Sequence, residues 1–207
     1  MTKKKISITI SLLIISFGIF LLSYNYFMEQ KLAVFNQMNL KLYALEGEEE
    51  EEDLSVEVEV DDIQSEEQEI PEVSGREYIA TLRIPAISLN LGLVSPDSPY
   101  NNVDSNITII SPSDMPDVEQ GNLIIAGHSG TGYLAFFRNL YRLQIGAQAS
   151  VTYNGTRYNY RLANIYFEEK NGYVSIHRDR SKKTMTLITC TKDSDTMQTV
   201  YIFEEIE

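Results

Sequence analysis

The sequence predicts an all-β domain of barrel or sandwich type, carried behind a single N-terminal transmembrane helix. Three observations predict it. An uncharged apolar run of membrane-spanning length opens the 207-residue chain. A dense acidic tract follows it. Beyond Tyr78, short runs rich in Ile, Val, Leu, Tyr and Thr recur between clusters of Gly, Pro, Asn, Asp and Ser, the punctuation of short strands and turns.

The first element is the apolar run Ile6–Tyr24, preceded by Lys3, Lys4 and Lys5. At about 1.5 Å rise per residue it spans most of a hydrocarbon core of about 30 Å. Tyr24, Tyr26 and Phe27 follow where an aromatic belt sits, and lysines ahead of the run place the N-terminus in the cytoplasm. Asn25–Glu29 offer no small-x-small cleavage site, so the run reads as an uncleaved signal anchor. The expected organisation is a cytoplasmic basic stub over 1–5, a transmembrane anchor over 6–27 and a juxtamembrane segment over 28–46. An acidic linker over 47–74 and a folded domain over 75–207 complete it. The domain is then extracellular, on a single-pass membrane protein.

The juxtamembrane segment keeps some apolar periodicity (Leu32, Phe35, Met38, Leu40, Leu42). It either continues the helix beyond the membrane or lies on its surface. From Glu48 to Glu69 there are thirteen acidic residues and no Lys or Arg, which accounts for the whole net charge of −13. Like charges repel, so this tract reads as an extended, solvated spacer. The remainder carries no basic face, and nucleic acid is not an expected partner.

In the domain, the candidate strands are Tyr78–Ile84, Leu89–Val94, Ile107–Ile110, Asn122–Ala126, Ala149–Tyr153, Thr156–Phe167, Thr184–Thr189 and Thr199–Glu205. Asn154-Gly155 supplies the positive φ angles of a type I′ hairpin turn. Tyr158, Tyr160 and Leu162 alternate with Asn159 and Arg161, marking one buried face. About eight strands in a domain of this size suit a barrel or sandwich. One helix is expected, over Tyr133–Leu143, with Leu134, Phe137, Leu140 and Tyr141 on one face.

The chemistry concentrates in two segments. Asn122-Leu123-Ile124-Ile125-Ala126 runs into Gly127-His128-Ser129-Gly130, a strand ending in a His between glycines. Thr186-Leu187-Ile188-Thr189 runs into Cys190, the only cysteine in the chain. A single Cys excludes an intramolecular disulfide. One Cys with two His (His128 and His177) is a poor metal set, because zinc sites use three or four protein ligands. No cofactor or metal is expected. A thiol with its ordinary pKa of about 8.5 is only a few per cent thiolate near neutrality. A neighbouring imidazole can take its proton and later protonate a leaving amine. Two adjacent strands of one barrel would bring His128 and Cys190 to the same rim.

Strand-Ala-Gly-His-Ser, followed some sixty residues later by Thr-Leu-Ile-Thr-Cys-Thr, resembles the signature of the sortase family, from about Ala80 to the C-terminus. The resemblance implies an eight-stranded sortase barrel with one or two short helices, Cys190 as nucleophile and His128 as acid/base. It implies cleavage of a Leu-Pro-x-Thr-Gly-like sorting signal between Thr and Gly through an acyl-thioester on Cys190. The implied partners are surface proteins bearing that C-terminal signal and a peptidoglycan precursor or other amine acceptor, met at the membrane. Ile188 and Thr189 would line the substrate groove.

One departure stands out. Sortases carry an Arg near the start of the final strand, held to stabilise the oxyanion or position substrate, and here Gln198 occupies that place. Three occupants of the third role remain open: Gln198 itself, Arg178 or Arg180 folding over from the preceding loop, or backbone N–H groups alone. Lys192 and His177 read as solvated loop residues, and Ser129 as a turn former that could also support His128. Two alternatives to a transpeptidase are a hydrolytic cysteine peptidase using the same pair and a non-catalytic sortase-like scaffold. Asp97-Ser98-Pro99-Tyr100 does not match the Asp-Pro-aromatic lid of pilus-building members, so attachment of surface proteins is the expected role.

Overall fold

The computed structural model of the chain describes residues 3–46 and 77–206. The acidic linker expected over 47–74 lies outside the described residues. A single α-helix, α1, runs Lys3–Glu46. Of the two courses left open for the juxtamembrane segment, the helix therefore continues. Its Ile10–Met38 stretch is long and apolar enough to cross a membrane, and none of its most apolar window is buried against the rest of the protein. That is compatible with a membrane anchor.

Eight strands follow: β1 (Tyr78–Ile84), β2 (Leu89–Val94), β3 (Thr108–Ile109), β4 (Asn122–Ala126), β5 (Gln148–Tyr153), β6 (Thr156–Glu169), β7 (Thr184–Cys190) and β8 (Met197–Glu205). They form one sheet in the order β2-β1-β5-β6-β8-β7-β4-β3. The two edge strands approach each other, and the buried Asn106 side chain donates to the Gly92 carbonyl of β2 at 2.9 Å, so the sheet curls into a nearly closed barrel. Every pairing is antiparallel except β4 with β7.

Period-2 patterning explains the inside. Ala80, Leu82 and Ile84 of β1 and Leu123 and Ile125 of β4 are buried in one inner core, with Met185 and Leu187 of β7 and Tyr201 and Phe203 of β8. The β5–β6 hairpin turns on Asn154 (φ 47°) and Gly155 (φ 71°), with Tyr153 opposite Thr156, as the Asn-Gly pair predicts. β4 and β7 do not alternate, because their outer face is covered too. Ile124, Ile188, Val200 and Ile202 form a second buried cluster there, a burden that parallel pairs characteristically carry on both faces.

A bulge in β6 between Leu162 and Asn164 changes the phase of that strand. Before it, Tyr160 and Leu162 point inward. After it, Tyr166 sits opposite Val200 and Glu168 opposite Gln198, on the outer face, while Ile165 packs on the inner core. One extra residue re-aims everything downstream of it.

The α-helix predicted over Tyr133–Leu143 is not formed. The segment is a chain of three-residue turns: Ala135, Arg138, Leu140 and Arg142 donate their amides to Gly132, Ala135, Phe137 and Asn139, each three residues back. Only Leu140–Arg142 is a regular 3-10 turn. Phe137, Leu140 and Leu143 are buried, and that spacing of three is the period of a 3-10 helix, not of an α-helix. The Phe137 amide is used elsewhere, on the carbonyl of His128 at 2.9 Å.

Two buried tyrosines make the barrel's stability depend on alkaline pH. Burial pushes the Tyr201 phenol up to about 12 and raises Tyr160 as well. An unfolded tyrosine ionises near 10. Above that pH the unfolded chain binds fewer protons than the folded one, so stability falls as pH rises from about 10 to about 12. Urea midpoints followed by circular dichroism should be flat up to about pH 9.5 and fall above 10, and Tyr201→Phe should flatten the fall. Tyr160 also buries a hydroxyl that has no hydrogen-bond partner among the described residues. At neutral pH Tyr160→Phe should therefore be neutral or stabilise by up to about 1 kcal/mol; a loss of 2 kcal/mol or more would mean the hydroxyl has a partner.

Candidate active site

The parallel pairing of β4 and β7 places both chemical residues. Its register sets Ile124 beside Thr186 and Ala126 beside Ile188. His128 lies two residues beyond Ala126, and Cys190 two beyond Ile188, so they leave the pair at matching positions. The contacts continue past the end of β4. Gly127 donates its amide to the Ile188 carbonyl at 3.2 Å, and Thr189 returns its hydroxyl to the Gly127 carbonyl at 2.7 Å. The Ser129 hydroxyl donates to the Cys190 carbonyl at 2.8 Å. Ser129 thus fastens the strand of the cysteine and not the imidazole.

Gly127 is required by close approach. A Cβ there would lie 2.9 Å from the Phe137 ring and 3.1 Å from Ile107. Phe137 can therefore cover the strand end, and its amide holds the His128 carbonyl from the other side. The segment 129–136 is cross-braced by Arg138. Its guanidinium donates to the carbonyls of Gly132 (2.8 Å) and Ala135 (3.2 Å) and to Glu29 of α1 (2.9 Å). His128 is partly exposed, with Nε2 3.4 Å from Asp104. Asp104 belongs to the β2–β3 connection and is itself exposed, so the pair is weak.

Two regions meet at Cys190, which is itself partly buried. One is the outer face of β4, β7 and β8, where Ile188 and Val200 are buried under Val174 and Ile176 of the β6–β7 connection and Ala126 is half-buried beside them. The other is a cavity of about 800 Å³ lined by Cys190, Ser129, Tyr141, Arg138, Lys170 and Lys192, among others. Lys192 is not merely solvated: its ammonium lies 4.2 Å from the Tyr141 ring centroid. Among the described residues no group of three or more His, Cys, Asp or Glu could hold a metal ion.

The candidates for the third role separate cleanly. Gln198 is the direct cross-strand partner of Cys190, so both side chains rise from the same face. Its amide donates to the Tyr173 carbonyl at 2.9 Å, with the Glu169 carbonyl at 3.5 Å. Arg178 instead donates to the carbonyls of Gln120 (3.0 Å) and Lys182 (3.2 Å), residues that precede β4 and β7. It therefore sits at the opposite end of both strands, about 20 Å from Cys190 at about 3.3 Å per residue. Arg180 is exposed in the turn at the same end. The fold brings His128, Cys190 and Gln198 together and leaves Arg178 and Arg180 apart. The sequence reading missed Asp104, Arg138 and Lys170. All three lie on connections, where neither period nor motif marks a position.

The family model that matches this chain, the Sortase domain, covers residues 82–204, more than half of its length. Solved structures similar to it include a Clostridium perfringens Sortase D5 transpeptidase, 26% identical over 63% of this chain and 80% of that one, with a TM-score of 0.54. Sortase A from Corynebacterium diphtheriae is 22% identical over 64% of this chain and 62% of that one, with a TM-score of 0.56. Sortase C1 from Streptococcus agalactiae is 21% identical over 66% and 70%, also with a TM-score of 0.56. The last two likenesses concern the fold alone. No curated protein matches the chain. The eight-stranded barrel, the Gly-His-Ser and Thr-Cys strand ends and the matching domain agree: the chain belongs to the sortase family of cysteine transpeptidases.

Proposed function

We propose that this chain is an active, membrane-tethered sortase facing the outside of the cell. It cleaves a Leu-Pro-x-Thr-Gly-like sorting signal between Thr and Gly and transfers the surface protein to a cell-wall amine, such as a peptidoglycan precursor. The observation that carries the reading is the matched departure of His128 and Cys190 from the β4–β7 pair, at the end of an apolar strip.

The steps follow from those positions. The Cys190 thiolate attacks the Thr carbonyl carbon, and the carbonyl electrons move onto oxygen. The tetrahedral centre collapses, the C–N bond breaks, and His128 protonates the departing Gly amine. A thioester remains on Cys190. The acceptor amine then attacks it, losing its proton to His128, and the Cys190 thiolate leaves. An extended peptide advances about 3.3 Å per residue. With the Thr carbonyl at Cys190, its Leu and Pro lie along the outer face against the half-buried side chains of Ala126, Val174 and Ile176, where apolar side chains leave water. Lys3, Lys4 and Lys5 hold the N-terminus in the cytoplasm.

The test uses the full chain in lipid nanodiscs with a sorting-signal peptide. Intact-mass analysis should show an acyl adduct on Cys190, absent in Cys190→Ala. His128→Ala should slow acylation by about 100-fold or more. Turnover that persists in Cys190→Ala would sink the assignment of the nucleophile. Products separate the alternatives: transfer to oligoglycine or a diamine marks a transpeptidase, whereas hydrolysis with every amine offered marks a cysteine peptidase. Gly127→Ala should lower kcat about tenfold or more and cost about 1–3 kcal/mol, because the new methyl group meets the Phe137 ring.

A further inference from the structure

We propose that Gln198 is a positioning residue. It latches the β6–β7 connection over the apolar strip, and so sets how tightly a peptide is held more than how fast its bond is broken. The proposal rests on the reading of that strip as the peptide site.

The connection between β6 and β7 is laid across the outer face like an additional strand. Val174 and Ile176 pack on the cluster of Ile188 and Val200. The residues that alternate with them, Tyr173, Ser175 and His177, present backbone groups to side chains of β6 and β8. Gln198 donates to the Tyr173 carbonyl at 2.9 Å. The Glu168 carboxylate accepts the Ser175 amide at 3.0 Å. The Tyr166 hydroxyl donates to the Ser175 carbonyl at 2.6 Å and accepts the His177 amide at 3.0 Å. The His177 ring lies 5.1 Å from the Tyr166 ring and 3.9 Å from Glu168. Three neighbouring side chains thus hold one edge of the wall.

Their neighbourhood is built by the β6 bulge, which puts Tyr166 and Glu168 on the outer face beside Val200 and Gln198. Gln198 is the grip nearest Cys190, one strand away. Tyr173, whose carbonyl it holds, is itself among the most exposed residues of the domain. A residue bonded to the wall is not aimed at the thioester. A neutral amide there is explained by this role, which needs a donor of the right reach and no charge.

The experiment combines peptide kinetics and amide hydrogen exchange on the full chain in nanodiscs. Gln198→Ala removes the latch, and Gln198→Glu keeps its shape but offers an acceptor to a carbonyl. Both should raise KM for the sorting peptide about five- to tenfold, the size of one net hydrogen bond, with a smaller change in kcat. Both should speed exchange over residues 173–177 without peptide. Gln198→Arg, which can donate to the same carbonyl, should restore KM and protection. A fall in kcat of about 100-fold with KM unchanged would make Gln198 an oxyanion donor and overturn the proposal. Unaltered exchange over 173–177 in both Ala and Glu variants would overturn it too. The exchange measurement needs no turnover. A wild-type chain that forms no adduct with any peptide would therefore refute the proposed function and leave the latch to be judged by exchange.

Discussion

The parallel pairing of β4 with β7 is the constraint on which the rest of the site depends, because a slip of one residue would turn Cys190 to the inner face of the barrel. The pair is short, and side chains hold its register at both ends. At its start the Asn122 side-chain amide oxygen accepts hydroxyls from Thr184 and Thr186, both at 2.9 Å. At its end Thr189 holds Gly127, and Ser129 holds Cys190. These bonds are buried or partly buried, where an unpaired partner costs most. The threonines that punctuate Thr184-Met185-Thr186-Leu187-Ile188-Thr189 thus have a positional reason. Within the strand, Thr184 and Thr186 fix the register outside, and Thr189 fixes it inside.

A second layer grows from that pairing. Parallel neighbours have two apolar faces, and the outer face of β4 and β7 needs cover. The β6–β7 connection supplies it, with Val174 and Ile176 packed against the cluster of Ile188 and Val200. That connection cannot pair as a regular strand, so its backbone groups must be satisfied by side chains. The bulge in β6 supplies them by moving Tyr166 and Glu168 outward. Burial raises the Tyr166 phenol, against the opposing effect of the His177 amide it accepts, so the hydroxyl stays neutral and can donate as well as accept. One irregularity thereby serves the packing of the outer face and the hydrogen bonding of the connection that covers it.

Much of this was legible in the sequence, for physical reasons that differ by element. Five of the eight predicted strands begin where the structure begins them, because period-2 alternation and Asn-Gly or Pro punctuation are local. His128 and Cys190 could be singled out because each lies at the end of a β-type run. The 133–143 segment was misread because apolar residues three apart satisfy an α-helical and a 3-10 pattern alike. Only the tertiary bond from Phe137 to His128 decides between them. The β6 bulge leaves no mark in composition, so the outward turn of Tyr166 and Glu168 was invisible. The direction of a loop is equally hidden: Arg178 follows the wall in sequence yet reaches Gln120, at the far end.

The helix α1 adds a geometric consequence for the site. Its polar half docks on the barrel through buried Asn36, which accepts the Tyr78 hydroxyl at 3.3 Å, and through Tyr43, which donates to the Ile79 carbonyl at 3.2 Å. Glu29, just past the predicted anchor, reaches Arg138. Arg138 braces the segment that starts at His128, and it lines the cavity shared with Cys190. These contacts are all made upstream of the acidic tract, so they hold the barrel close to the anchor independently of that tract's length. With the apolar run in a bilayer, the same contacts would hold the barrel next to it, so the helix and the domain are joined by side-chain bonds as well as by the chain.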